Sequence, residues 1–183
     1  GVRGLELSGD LPILELEDGS AVVGAYAISE RFDELMQRGG FDARSVRLFP
    51  GSTEDRAEVR RLVDWFHRRL DREITQPMLA EKVWPRLVPG HAVQGPQASA
   101  LRALHVALRQ HLSYISYLSY TRRWLAGDAM SFADLAAAAQ LSCLDYLAEV
   151  PWDDAPDAKV WYARVKSRPS FRPLLADHIP GLP

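Results

Sequence analysis

The apolar positions of the chain change period once. Near the start they form two short runs, Ile13–Leu16 and Ala21–Val23, on either side of Asp18-Gly19. Runs of that length flanking a turn dipeptide predict a β-hairpin, and Pro12 confines the first strand to an edge or makes that residue its start. Ala27, Ile28, Phe32 and Leu35 then share one face of a helix over 26–36, which Gly39 or Gly40 ends in a left-handed cap. Residues 41–53 carry Pro50-Gly51-Ser52-Thr53 and read as a linker. Beyond it the period is helical throughout.

Ser52 or Thr53 caps a long helix to about Ile74, in which Val59, Leu62, Val63, Phe66 and Leu70 form the buried stripe. A weaker helix covers Met78–Trp84. The segment 85–97, with three prolines and two glycines, is a surface loop. Ser99 opens another helix, with Leu101, Leu104, Leu108, Leu112, Ile115 and Leu118 inward. Its S-Y-x repeat places Tyr114, Tyr117 and Tyr120 three apart, as packing or as the wall of a cleft or interface.

The stretch organising the rest is Trp124–Leu147. Ser131 stands as N-cap and Asp134 three residues on, the spacing of a capping box. Leu135–Leu147 is apolar or small on nearly every face, which predicts a buried central helix. It is too short for a bilayer, which takes about 20 residues. A last helix runs over 157–167 with Val160, Trp161 and Val165 inward, Arg168-Pro169 stops it, Phe171–Leu175 is a short turn, and 177–183 forms an extended tail.

Composition narrows the function classes. At 47% hydrophobic the chain buries a real core, and its net charge of −2 supplies no field for nucleic acid or anionic lipid. The six arginines of the long helix are matched by six acids, the pattern of a solvated, salt-bridged face. No apolar run reaches membrane-spanning length and no signal sequence opens the chain, so a cytoplasmic protein is expected. The single cysteine, Cys143, reads as a small buried hydrophobe.

Candidate chemistry is sparse. The histidines at 67, 91, 105, 111 and 178 lack the i, i+4 spacing of helical metal ligands, so no metal site is expected. There is no phosphate loop and no G-x-S-x-G. Asp145 and Glu149 lie one turn apart near a helix end, where paired carboxylates are usually solvated. No catalytic residue is assigned.

The order of elements, with three motifs, resembles the glutathione transferase superfamily. LPILELEDG is similar to its cis-proline strand and hairpin, WLAGD followed by SFADLAAAA to its capped central helix, and YARVKSRPSFRPLL to its closing helix. The resemblance implies an α+β fold: a partial thioredoxin-like domain over 1–40, a linker over 41–53, and an all-helical domain over 54–183. That family's first β-α-β unit, which carries the catalytic Tyr, Ser or Cys, has no counterpart here, so further residues are expected before Gly1. Leu11, Pro12, Gly24 and Ala25 fall on the glutathione-site positions, with Pro12 expected cis. Where active members carry Glu-Ser this chain has Gly24-Ala25. Losing a hydrogen bond to a charged group costs about 1.5–3 kcal/mol, so glutathione is expected to bind weakly or not at all. Longer blocks, among them AISERFDE, LRALHVALRQHLSYISYL and WYARVKSRPSFRPLLADHIPGLP, are similar to the alphaproteobacterial FtsZ-binding cell-division members of this superfamily. That likeness implies a homodimer at the division site, docked on FtsZ filaments through Arg122, Arg123, Tyr117, His178 and Pro180, with no enzymatic activity, no nucleic acid and no membrane insertion. A glutathione-dependent transferase acting on small electrophiles is the alternative.

Overall fold

A computed structural model describes residues 12–38, 47–87 and 95–178. The chain forms two compact units, Gly1–Phe49 and Pro50–Pro183.

In the first unit, strands β1 (Ile13–Glu15) and β2 (Ala21–Val23) pair antiparallel with Ile13 opposite Val23 and Glu15 opposite Ala21. The connection is a three-residue loop rather than the expected two-residue turn. The Gly19 N–H donates to the Leu16 carbonyl, and the Leu16 N–H to that of Ser20. Gly19 takes φ +80°, a left-handed position at which glycine is unstrained. The Asp18 carboxylate accepts from both the amide and the hydroxyl of Ser20 and locks the loop. Helix α1 (Ala25–Arg38) follows. Its expected inward face is only partly covered: Phe32 is 50% exposed, and among the described residues the sheet beside it has two strands. Asp33 accepts from the Leu48 amide, and Tyr26 meets Phe49 edge-on, fixing the end of this unit.

The second unit is a helical bundle. It contains α2 (Thr53–Asp64), α3 (Gln76–Lys82), α4 (Trp84–Leu87), α5 (Ala98–Thr121), α6 (Phe132–Tyr146) and α7 (Pro156–Lys166). Ser52 is the N-cap of α2, its hydroxyl accepting from the Asp55 amide. The helix α2 does not stay α. Trp65–Thr75 is π-helical, and only then does α3 begin. Pro77 has no N–H for the carbonyl four residues back and its ring crowds that carbonyl, so a wider turn upstream relieves the clash. Phe66, Leu70, Ile74 and Met78, spaced by four, are all fully buried.

Helix α6 lies centrally, packed on α2, the π-helical stretch and α7, while α5 packs on α7, the π-helical stretch and α3. The apolar character of α6 overstates its burial. Ala136, Ala137, Ala138, Leu141 and Leu144 are buried, but Cys143 is exposed. On α7, Trp161 and Val165 face inward as expected, while Val160 is 67% exposed and Ala158 and Tyr162 take the inner positions.

Helix α6 ends in a Schellman motif. The Glu149 amide donates to the Leu144 carbonyl and the Ala148 amide to that of Asp145, which puts Ala148 at φ 57°. A β-carbon in that region costs about 1 kcal/mol. Ala148→Gly is therefore expected to raise the unfolding free energy by about 0.5–1 kcal/mol in urea titration. An unchanged or lower midpoint would contradict the strain.

Candidate functional site

Residues on the glutathione-site positions converge. The Gly24 amide donates to the Pro12 carbonyl at 2.9 Å, where the hairpin meets the start of α1. Gly24 takes φ +91°, and a Cβ built there meets nothing within 4 Å, so the position is restricted by backbone strain and not by crowding. Neither Gly24 nor Ala25 has a polar side chain to offer an anion, and the first turn of α1 holds no acid. What the helix start presents is backbone N–H alone, a weak anion site. Leu11, and with it the Leu11–Pro12 peptide, lies outside the described residues, as does Pro180.

The capping box is present and does more than cap. Asp134 is fully buried and accepts four hydrogen bonds. One carboxylate oxygen takes the Ser131 amide (2.9 Å) and hydroxyl (3.2 Å); the other takes the Leu125 amide (3.0 Å) and the Trp161 indole (2.9 Å). One side chain thus joins the start of α6, the loop before it and the core of α7. Burial pushes its carboxyl above the usual range while these donors pull the other way.

The tyrosine stripe splits. The Tyr114 hydroxyl accepts from Arg61 at 2.8 Å and its ring packs on Trp65 at 4.8 Å, whereas Tyr117 and Tyr120 are 62% and 80% exposed. Beneath Tyr114 runs a polar network between α2, the π-helical stretch and α5. The Trp65 indole donates to Nδ1 of buried His111 (3.2 Å), whose Nε2 faces Glu73 (3.0 Å). Arg69 pairs with Glu73 and stacks over Trp65. Burial pushes His111 below the ordinary imidazole range against the pull of Glu73.

Arg122, expected as a free contact residue, belongs to this framework. It bonds Glu58 at 2.7 Å and the Leu125 carbonyl at 2.9 Å, and is two-thirds buried. The sequence held the reason in the Glu58–Arg61 pair one turn apart, but not the fold that brings Arg122 to it. Arg123 and His178 are exposed.

The carboxylates near the end of α6 are not solvated as expected. Asp145 accepts from the Trp152 indole (2.7 Å) and from Lys166 (2.8 Å). Glu149 is buried between Lys82 and His105. Beside them a cavity of about 470 Å³ opens among α3, α6, α7 and the turn Arg172–Ala176. Sequence reasoning missed it, since its walls come from four separate elements. Among the described residues no cluster of three metal-ligating side chains occurs, and no helix is long and apolar enough to cross a membrane.

A capped central helix in a bundle of this order, preceded by a hairpin and helix, defines the glutathione transferase fold. Residues 75–169 match the glutathione S-transferase C-terminal domain, and the chain belongs to that family. FtsZ-localized protein A of Caulobacter vibrioides is 52% identical over 128 residues, 70% of this chain and 55% of that protein, so the chain spans little more than half of that relative. Among solved structures, a glutathione S-transferase from Rhodospirillum rubrum F11 superposes with a TM-score of 0.83 at 44% identity, covering 96% of this chain and 74% of that one. FzlA from C. crescentus superposes with a TM-score of 0.80 at 42% identity, covering 93% and 71%.

Proposed function

We propose that the chain is part of a non-enzymatic, glutathione transferase-like protein that binds FtsZ filaments and supports cell division, acting as a cytoplasmic homodimer at the division site. The observation that carries this reading is the similarity to FtsZ-localized protein A, which extends over 70% of this chain. The site chemistry agrees with it. Gly24-Ala25 give the anion position no side-chain donor. A rigid helical bundle with outward Tyr117, Tyr120 and Arg123 suits docking on a filament better than turnover.

The test is co-sedimentation of the full-length protein with GTP-polymerised FtsZ at two salt concentrations. Wild type is expected to pellet with filaments, and a Tyr117→Ala/Arg123→Glu variant to pellet several-fold less. Absence of wild-type pelleting at either salt would overturn the reading. Normal pelleting of the variant would move the contact elsewhere, with His178 and the tail next. Light scattering at micromolar concentration is expected to report a dimer, and a monomer would remove the two-fold arrangement.

The transferase alternative makes an opposite forecast. Calorimetric titration with glutathione is expected to give no heat below millimolar ligand, because the missing hydroxyl weakens binding roughly 10- to 150-fold. A low-micromolar dissociation constant would favour the enzyme.

A further inference from the structure

The network between α5 and the π-helical stretch contains a residue that fits its surroundings in one protonation state only. His111 is 3% exposed and uses both ring nitrogens. Nδ1 accepts the Trp65 indole N–H at 3.2 Å, so it carries no proton, and Nε2 carries the one that points at the Glu73 carboxylate 3.0 Å away. The neutral Nε2–H tautomer satisfies all three groups. The imidazolium does not, because a proton on Nδ1 sets two N–H donors face to face inside the protein.

The two bonds also fall where the helix changes. The π-helical stretch has 11 residues, and His111 holds its first, Trp65, and its ninth, Glu73. Pro77 accounts for the later end, since a proline crowds the carbonyl four residues back, here that of Glu73, and reaches no further. The start of the wide turn is held from outside, by α5. There Trp65 lies between the Tyr114 ring at 4.8 Å and the Arg69 guanidinium at 4.1 Å.

We propose that His111 is an acid-operated latch: neutral, it ties Trp65 to α5; protonated, it keeps Glu73, drops Trp65 and opens the seam between α5 and the start of the π-helical stretch. The charges around the ring set where it works. Glu73 and Arg69, both from the π-helical stretch, act on it in opposite senses, and Arg69 is itself paired with Glu73. Helices α3 and α7, which also pack on α5, bring no charge that acts on the ring among the described residues. Burial outweighs the pull of Glu73 and keeps the ring neutral until the pH is below the ordinary 6.5. The latch is thus closed at neutral pH. A folded-state value below the unfolded one makes its stabilising contribution complete above 6.5, and lost as the pH falls from there through the folded value. This inference is independent of filament binding.

Nuclear magnetic resonance of the full-length protein tests it, with the ring and indole signals assigned through His111→Gln and Trp65→Phe. At neutral pH the His111 nitrogens are expected to report the Nε2–H tautomer. The Trp65 indole N–H is expected to move with the His111 ring on acidification, both with one midpoint below 6.5. Trp65→Phe removes the opposed N–H, so the His111 midpoint is expected to rise by about half a pH unit or more, the worth of one hydrogen bond to the neutral form. Glu73→Gln removes the favourable charge, so the midpoint is expected to fall. A histidine with a packing role alone would keep its midpoint in Trp65→Phe. An Nδ1–H tautomer at neutral pH, a midpoint that Trp65→Phe leaves unchanged, or an indole signal that still titrates in His111→Gln would each overturn the latch. Unfolding of the whole protein before either signal moves would overturn it as well.

Discussion

Replacing Asp134 by alanine is expected to lower the unfolding free energy by about 3–5 kcal/mol, the largest effect of any single polar substitution in the helical unit. A surface N-cap is worth about 1 kcal/mol, and the capping box alone sets no higher figure. The difference lies in burial. Asp134 is fully buried, and its removal strands the Leu125 and Ser131 amides and the Trp161 indole, three donors without water to replace their partner. Each stranded donor costs about 1–3 kcal/mol. Asp134→Asn keeps one acceptor oxygen for Leu125 and Trp161 and exchanges the other for a donor facing Ser131, so it is expected to fall between alanine and wild type. Urea titration followed by tryptophan fluorescence reads both variants. A loss below 1 kcal/mol for alanine would show that the start of α6 relaxes towards water and that the three-way junction is not rigid. Against a typical total of about 5–15 kcal/mol, the expected loss approaches the unfolding threshold.

How far the sequence reveals this structure depends on the range of the interactions concerned. Ser131 and Asp134 are legible because a capping box is local: three residues of spacing fix the geometry once a helix starts there. The hairpin at Asp18-Gly19 is legible for the same reason, and only its loop length differs, because Ser20 bonding back to Asp18 adds a residue to the turn. The π-helical stretch was not legible: Val59, Leu62, Val63, Phe66 and Leu70 have the spacing of an ordinary α-helix, and Pro77 beyond them was not read as a cause of widening. Arg122, Asp145 and Glu149 were misread as solvent-facing because their partners lie far along the chain: Glu58, Lys166 and Lys82. Periodicity reports which face of a helix is apolar, and says nothing of which charged residue the fold brings opposite. Cys143 errs in the other direction, since an apolar helix face reads as buried whether or not another element covers it.

The same distinction separates two adjacent arginines that the sequence treats alike. Arg122→Glu is expected to destabilise the protein by about 2–3 kcal/mol, and Arg123→Glu by no more than about 0.5 kcal/mol. Arg122 donates to both Glu58 and the Leu125 carbonyl, tying α2 to the loop after α5. Reversal removes both bonds and sets a second carboxylate against Glu58. Partial exposure of Arg122 keeps the figure below that of a fully buried pair. The pH dependence checks the assignment. The hydrogen bond from Arg61, with Arg122 assisting, holds the Glu58 carboxyl down at about 2, against an ordinary 4.5. A depressed carboxyl contributes its stability above the unfolded value and loses it as pH falls towards the folded one. The gap between wild type and Arg122→Glu should therefore be full at pH 7 and shrink between about 4.5 and 2. Urea unfolding at pH 7 and pH 3 measures it. Equal stability of the two variants at pH 7 would return Arg122 to the surface and to the list of filament contacts. The expected split leaves Arg123 as the arginine whose reversal probes filament binding without disturbing the fold.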